Sequence, residues 1–276
     1  MESMRTARRM FGLASAARRL MLAPRLAEKN KRLSIILPTM DSAHYIDLIL
    51  SYYQKIGVPT IVFVDAKSKD DTSAVAGRFS DVIRIENSGT IAEEVIQQMS
   101  YAPESEFVLR MDDDELPSVG MMEFVRNVAN KTEAEAVAYG FPRHQCAVSA
   151  DGRLLRHLDH SATTDHRQWR LYCPRKVRFT KRIHTSGIET NDLRLLEAPD
   201  WACMIHLDWA LHSHDQRKAK VQRYDAHTPG AGSFSKPYYL FEEVPGAKER
   251  FVPLDLPEFR SITHTISERF RNFCIH

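Results

Sequence analysis

An α/β fold built around a mostly parallel sheet is predicted by three features of the chain. Short apolar runs alternate with segments of helical periodicity between residues 33 and 141. The runs are continuous rather than alternating, the pattern of strands buried on both faces. Three of them end in polar or acidic residues: Pro38-Thr39, Asp65, and Asp112-Asp113-Asp114-Glu115. In doubly wound sheets ligands bind at the carboxyl ends of the strands, so those residues are expected to converge on one edge.

The elements follow in order. Leu33–Leu37 is an apolar run stopped by Pro38, the first strand. His44–Ile56 carries Ile46, Ile49, Leu50 and Tyr53 at helical spacing. Thr60–Val64 is the second strand, ending at Asp65. Asp71 or Thr72 is expected to cap a short helix running through Val75 and Phe79. Val82–Ile85 is the third strand, Ile91–Met99 a helix, and Phe107–Met111 the fourth strand. A helix over Val119–Val128 and a strand over Ala136–Phe141 complete the alternation.

The second half changes character. Residues 142–183 are rich in Arg, His and aromatic residues, and Asp151-Gly152 predicts a hairpin turn. Trp169–Cys173 and Lys176–Phe179 read as strands around Pro174. Asp215–Tyr224 reads as a basic, exposed helix. Residues 228–232 are loop, and no periodicity marks the tail after them. The chain therefore divides into a basic extension (1–32), an α/β domain (33–227) and a C-terminal tail (228–276).

Net charge over the 276 residues is +2, too small for a global polyanion-binding field, so no nucleic-acid partner is expected. Positive charge concentrates in residues 1–32, where nine Lys/Arg face only Glu2 and Glu28. Arg pairs alternate there with Met10, Phe11, Leu13, Leu20, Met21 and Leu22, a basic amphipathic pattern. Such a leader fits a solvated extension, a peripheral contact with acidic lipid through residues 1–31, or a transit peptide. No uncharged run approaches the ~20 residues that span a bilayer, so the expected location is cytoplasmic, including the inner membrane face. Cys146, Cys173, Cys203 and Cys274 show no C-x-x-C pairing and are expected to be reduced and buried.

Four consecutive carboxylates at the mouth of a buried strand repel one another unless a cation is present. Mg²⁺ typically takes one or two carboxylates plus substrate phosphates. Alternate residues of an extended segment share a face, so Asp112 and Asp114 are expected to address one ligand. The competing reading is an acidic N-terminal cap on the helix that follows Pro117-Ser118. Arg170 lies in a stretch with Arg167, Arg175, Lys176 and Arg178; it reads as a solvated basic face or as a phosphate or anionic-acceptor clamp.

Three blocks then resemble family 2 glycosyltransferases: Ser34-Ile35-Ile36-Leu37-Pro38-Thr39, Val62–Thr72 with Asp65, and Leu109–Glu115 with Asp112, Asp113 and Asp114. Trp169-Arg170-Leu171-Tyr172, Val177-Arg178-Phe179 and Ile183-His184 look like the acceptor-side segment of bacterial members that decorate cell-surface glycans. His206 with Arg217, Lys220, Arg223 and Tyr224 is similar to the ending of that group. The resemblance implies a GT-A fold and inverting transfer of a sugar from a nucleotide-diphosphate sugar to a hydroxyl of a glycan or lipid-linked acceptor. It implies that Pro38, Thr39 and Asp65 hold the nucleoside and Asp112 the ribose or sugar; Asp113 and Arg170 are expected to bind the nucleotide-sugar beside them. Asp114 and His206 would hold a divalent metal, Mn²⁺ or Mg²⁺, and imidazole favours Mn²⁺. Glu189 or Asp192 is the expected catalytic base, with Asp165 a weaker choice. The chain departs from the pattern at Ala66, where relatives often have a second Asp, and at Met40, where many have an aromatic residue.

Two other functions compete. His157-Leu158-Asp159-His160 and His212-Ser213-His214 invite a metallohydrolase, but neither has the H-E-x-x-H spacing. A non-catalytic nucleotide-sugar-binding relative would keep the same scaffold. No P-loop or G-x-G-x-x-G occurs, which disfavours kinases and dinucleotide enzymes.

Overall fold

The computed structural model describes residues 32–89, 91–131, 135, 137–161, 167–182 and 187–275. The leader, Asp165 and His184 lie outside them. Among the described residues twelve strands form two sheets.

The first sheet starts as the sequence predicts. Strands β1 (Leu33–Thr39), β2 (Thr60–Asp65), β3 (Asp81–Ile85) and β4 (Phe107–Arg110) are parallel, in the order β4-β1-β2-β3. Helix α1 (Ile46–Ile56) buries Ile46, Ile49, Leu50 and Tyr53, the four positions its periodicity marks. Pro38 does not stop β1, which runs on to Thr39. The amide of Ile35 points at β2, so the nitrogen of Pro38, three residues on, points at β4. Pairing with β4 has already ended at Ile36 opposite Arg110, so the missing N–H costs no ladder bond.

Other boundaries move for local reasons. Helix α2 spans Thr72–Ala76, and its first amide is met by Asp70 Oδ1, which accepts from Thr72 N at 3.0 Å; neither Asp71 nor Thr72 supplies the cap. The predicted helix over Ile91–Met99 is split into a 3₁₀ turn (Ala92–Glu94) and α3 (Ile96–Tyr101). Lys176–Phe179 is not a strand: a 3₁₀ turn covers Pro174–Lys176, and Phe179 makes a single bridge to Ile188.

Beyond α4 (Val119–Lys131), strands β6 (Val137–Phe141), β9 (Gln168–Tyr172) and β10 (Arg194–Glu197) widen the first sheet to β10-β6-β9-β4-β1-β2-β3. β9 enters antiparallel between β6 and β4 and brings Arg170 under the end of β4. The second sheet has the order β12-β8-β7-β11-β5: β5 (Glu115–Pro117), β7 (Arg143–Val148), β8 (Leu154–Ser161), β11 (Met204–His206) and β12 (Phe251–Pro253). β7 and β8 form the hairpin predicted around Asp151-Gly152, where Gly152 takes φ +82°. β11 runs antiparallel to β5 and parallel to β7, so Glu115, His206 and Gln145 lie in one row across three strands.

The C-terminal stretch is structured. Helices α5 (Asp208–Leu211), α6 (His214–His227), α7 (Ala231–Tyr239) and α8 (Arg260–Arg269) follow β11, and Phe259, Ile266 and Phe270 join the main core. All four cysteines are buried and free. Among the described residues no helix is long and apolar enough to cross a membrane.

Helix α7 crosses α6 at Gly232, where an added Cβ would stand 2.0 Å from the Val221 carbonyl oxygen. That contact is with backbone and cannot yield by rotamer change. Gly232→Ala is expected to cost about 1–3 kcal/mol and to lower the thermal unfolding midpoint, measurable by calorimetry. An unchanged midpoint would show that the α6–α7 crossing does not contribute to stability.

Candidate active site

The carboxyl ends of β1, β2 and β4 open into a cleft of about 570 Å³ lined by Pro38, Thr39, Asp65, Asp112, Asp113, Asp114 and His206, among others. Residues following β4 do not continue as an extended segment. Glu115 N donates to Asp112 O at 3.1 Å, closing a turn. Consecutive carboxylates are thereby splayed toward different partners instead of alternating on one face.

Each partner is specific. Asp112 Oδ2 accepts from Arg170 Nη2 at 2.7 Å and Oδ1 from Arg110 Nη2 at 3.3 Å. Burial opposes its ionisation, but Arg170 and Arg110 hold the carboxyl far below the usual carboxylate range. Glu115, fully buried, accepts from Arg170 at 2.6 Å and Arg143 at 3.3 Å. Asp113 Oδ2 accepts from the hydroxyls of Thr39 and Ser42, each at 2.5 Å. Its pKa is raised, by burial first and by Asp114 second.

Asp114 faces an imidazole and an ammonium. His206 Nε2 stands 3.1 Å from Oδ1, and Lys220 Nζ 3.8 Å from Oδ2. Burial would raise this carboxyl; His206 and Lys220 hold it below its ordinary value. The 92 positions between Asp114 and His206 are closed by the β5–β11 pairing, which sets His206 opposite Glu115.

The Asp114–His206 pair fits a cation. His206 Nδ1 lies 2.5 Å from Gln145 Oε1 and 2.7 Å from the Tyr238 hydroxyl. A carbonyl oxygen only accepts, so it fixes a proton on Nδ1 and turns Nε2, the other ring nitrogen, toward Asp114. Asp114 Oδ1, facing Nε2, makes no hydrogen bond among the described residues. Such a contact is satisfied by a second imidazole proton or by a cation between the two atoms. Asp114 also belongs to a second grouping, with Asp208 and His212, whose ligand atoms lie within 4.8 Å of one another.

The sequence profile described as Glycosyl transferase family 2 matches residues 34–198. The chain belongs to that family. It is a glycosyltransferase, with the GT-A type of α/β fold. No curated protein matches significantly. Among solved structures it is similar to S. aureus TarS 1-349, at 13% identity over 87% of this chain and 91% of that one, with TM-score 0.44. It is also similar to the same protein in complex with UDP, at 12% identity over 88% of each chain, and in complex with UDP-GlcNAc, at 13% over 89% and 93%; TM-score is 0.45 for both.

Of the residues singled out in this glycosyltransferase, the structure brings Pro38, Thr39, Asp65, Asp112, Asp113, Asp114 and His206 to one cleft. Arg170 is elsewhere in role. It is 2% exposed and held by Asp112 and Glu115, so its guanidinium buttresses the turn from below and is not displayed as a phosphate clamp. Glu189 and Asp192 are exposed and do not line the cleft; Asp192 pairs with Arg178 at 3.3 Å. The bridge of Ile188 to Phe179 buries Ile188 and turns the side chain of the next residue, Glu189, outward.

Helix α6, read by pattern as an exposed basic helix, faces the site instead. Gln216, Arg217, Lys220, Arg223 and Tyr224 all line the cleft. Counted from Lys220 they stand at i−4, i−3, i, i+3 and i+4, one helical face, a stripe visible in the sequence but polar. An apolar-periodicity search assigns such a face to solvent. His212 also lines the cleft, its Nδ1 3.2 Å from Asp208 Oδ1; the D-x-x-x-H spacing at 208–212 was the available signal.

Replacing Arg170 by Met would leave Asp112 and Glu115 short of their shared cation, at a cost of about 3–5 kcal/mol for a broken buried pair. Asp112, depressed in the fold, contributes stability above its ordinary pKa of 3.8 and loses it as pH falls further. Chemical denaturation of wild type and Arg170→Met should therefore show the full difference at pH 7 and a smaller one below about pH 4. A difference independent of pH would detach Arg170 from the ionised carboxylates.

Proposed function

We propose that this family 2 enzyme transfers a sugar from a nucleotide-diphosphate sugar to a hydroxyl of a glycan or lipid-linked acceptor, with inversion and with a divalent metal. One observation carries the reading: the turn after β4 directs Asp112, Asp113 and Asp114 into the cleft that also receives Thr39, Asp65 and His206. The Asp114–His206 contact of 3.1 Å, with Asp114 Oδ1 lacking a hydrogen bond among the described residues, supports the metal in this reading.

In this reading Pro38, Thr39 and Asp65 contact the nucleoside, and Asp112 contacts the ribose or sugar. Asp113 does not meet the donor directly. Its hydrogen bonds from Thr39 and Ser42 tie the end of β1 to the turn after β4. Asp114 and His206 hold the metal. When bound, a divalent cation neutralises charge that develops on the departing nucleoside diphosphate. Imidazole beside carboxylate favours Mn²⁺ over Mg²⁺. Inversion needs a base at the acceptor hydroxyl; Glu189 and Asp192 stand outside the cleft lining, so neither supports that assignment. The basic leader supplies a peripheral contact with acidic lipid, and deleting residues 1–31 is expected to weaken binding to anionic vesicles while leaving donor hydrolysis intact.

The test is nucleoside diphosphate release from a panel of nucleotide-sugars by the purified enzyme, with Mn²⁺, Mg²⁺ or chelator. Release should depend on metal. Asp114→Asn should lower turnover by about 10²–10³-fold, and His206→Ala should raise the Mn²⁺ concentration needed by at least about tenfold. Equal Mn²⁺ dependence in wild type and His206→Ala would remove His206 from the metal shell. Absence of release from every donor would leave the binding-only function standing.

A further inference from the structure

The metal reading leaves Lys220 unexplained. Its ammonium lies 2.9 Å from Asp208 Oδ1 and 3.8 Å from Asp114 Oδ2, over the Tyr239 ring at 5.0 Å from its centroid. The side chain is 20% exposed on the wall of the cleft. Asp114 therefore has one oxygen toward His206 and the other toward a lysine. A carboxylate that already neutralises an ammonium attracts a second cation less, and a dication beside that ammonium is repelled.

Lys220 also has somewhere to go. Asp208 is fully buried, and its Oδ2 makes no hydrogen bond among the described residues, although Oδ1 is held by Lys220 and lies 3.2 Å from His212 Nδ1. A short displacement from Asp114 toward Asp208 would give the ammonium both oxygens of one carboxylate. The neighbouring cations are differently placed: Arg217 is committed to Glu242 and the Tyr239 carbonyl, and Arg143 to Glu115.

Resting on the Asp114–His206 metal reading, we propose that Lys220 is a resident counter-cation of Asp114 that competes with the divalent metal. In the metal-free protein Lys220 shares Asp114 with His206. Metal binding drives the ammonium onto Asp208. The lysine thus lowers metal affinity, and it keeps Asp114 neutralised whenever no metal is present. It acts through Asp114 and is a positioning residue.

The experiment is donor-free Mn²⁺ binding followed by electron paramagnetic resonance, on the full chain. Lys220→Gln should bind Mn²⁺ at least about tenfold more tightly than wild type, because the competing charge is gone. Lys220→Arg, which keeps the charge, should stay near wild type. Asp114→Asn should lose binding in either background. If wild type binds Mn²⁺ through Asp114 and Lys220→Gln binds no tighter, the competition is overturned and the metal site survives. If neither binds, both readings fall together. Should Lys220→Gln fail to fold, the wild-type protein decides: the Lys220 ammonium ¹⁵N resonance should move on adding Mg²⁺ and stay fixed in Asp114→Asn. A resonance that does not move while Mg²⁺ binds overturns the proposal.

Discussion

Four adjacent carboxylates at the end of a buried strand must each find a counter-charge or donor, and much of the structure around the cleft answers that requirement. Asp112 and Glu115 turn toward Arg170, Asp113 toward two hydroxyls, and Asp114 toward His206 and Lys220. A buried carboxylate without a counter-charge or donor would ionise only at great cost. β9 is needed to deliver Arg170, β11 to deliver His206, and α6 to deliver Lys220. The second half of the chain can thus be read as the solution to an electrostatic problem posed at the end of β4.

The same requirement links the two sheets. Arg170 comes from the first sheet and Glu115 from the second, and Tyr53 on α1 donates to the Glu115 carbonyl at 2.9 Å. A shift of either sheet would strain a hydrogen bond to a charged group with no solvent to replace it. The turn that presents Asp112 to Asp114 is therefore held before any ligand arrives, as preorganised sites require.

How far the sequence reveals this depends on which physical signal carries each part. Burial on both faces writes itself as continuous apolar runs, so β1 to β4, α1 and their acidic ends were readable to within a residue or two. Asp65, Asp112 and Asp114 were found because strand ends share an edge. Arg170 was found as a cation but misread in role, since a guanidinium beneath a carboxylate and one aimed at phosphate look alike in sequence. Arg217, Lys220, Arg223 and Tyr224 were marked by the resemblance but given no site role, because a polar face turned to a polar cleft has the periodicity of a solvated one. The elements after residue 228 escaped because short helices there each contribute only a few apolar positions: Ile262 and Ile266 on α8, Tyr239 on α7.

The pairing of β11 between β5 and β7 bears on how the chain is made. Synthesis runs from the amino end, and strands that neighbour one another in the finished sheet leave the ribosome far apart in time. Residues 34–198, the whole of the family match, can emerge while β5 and β7 still have no strand between them. During that interval Asp114 lacks both His206 and Lys220, and two strands display unpaired hydrogen-bonding edges. Such edges recruit other chains. The interval closes only when Met204–His206 inserts, so the nascent protein is most exposed to misassembly just before its charged pocket is complete.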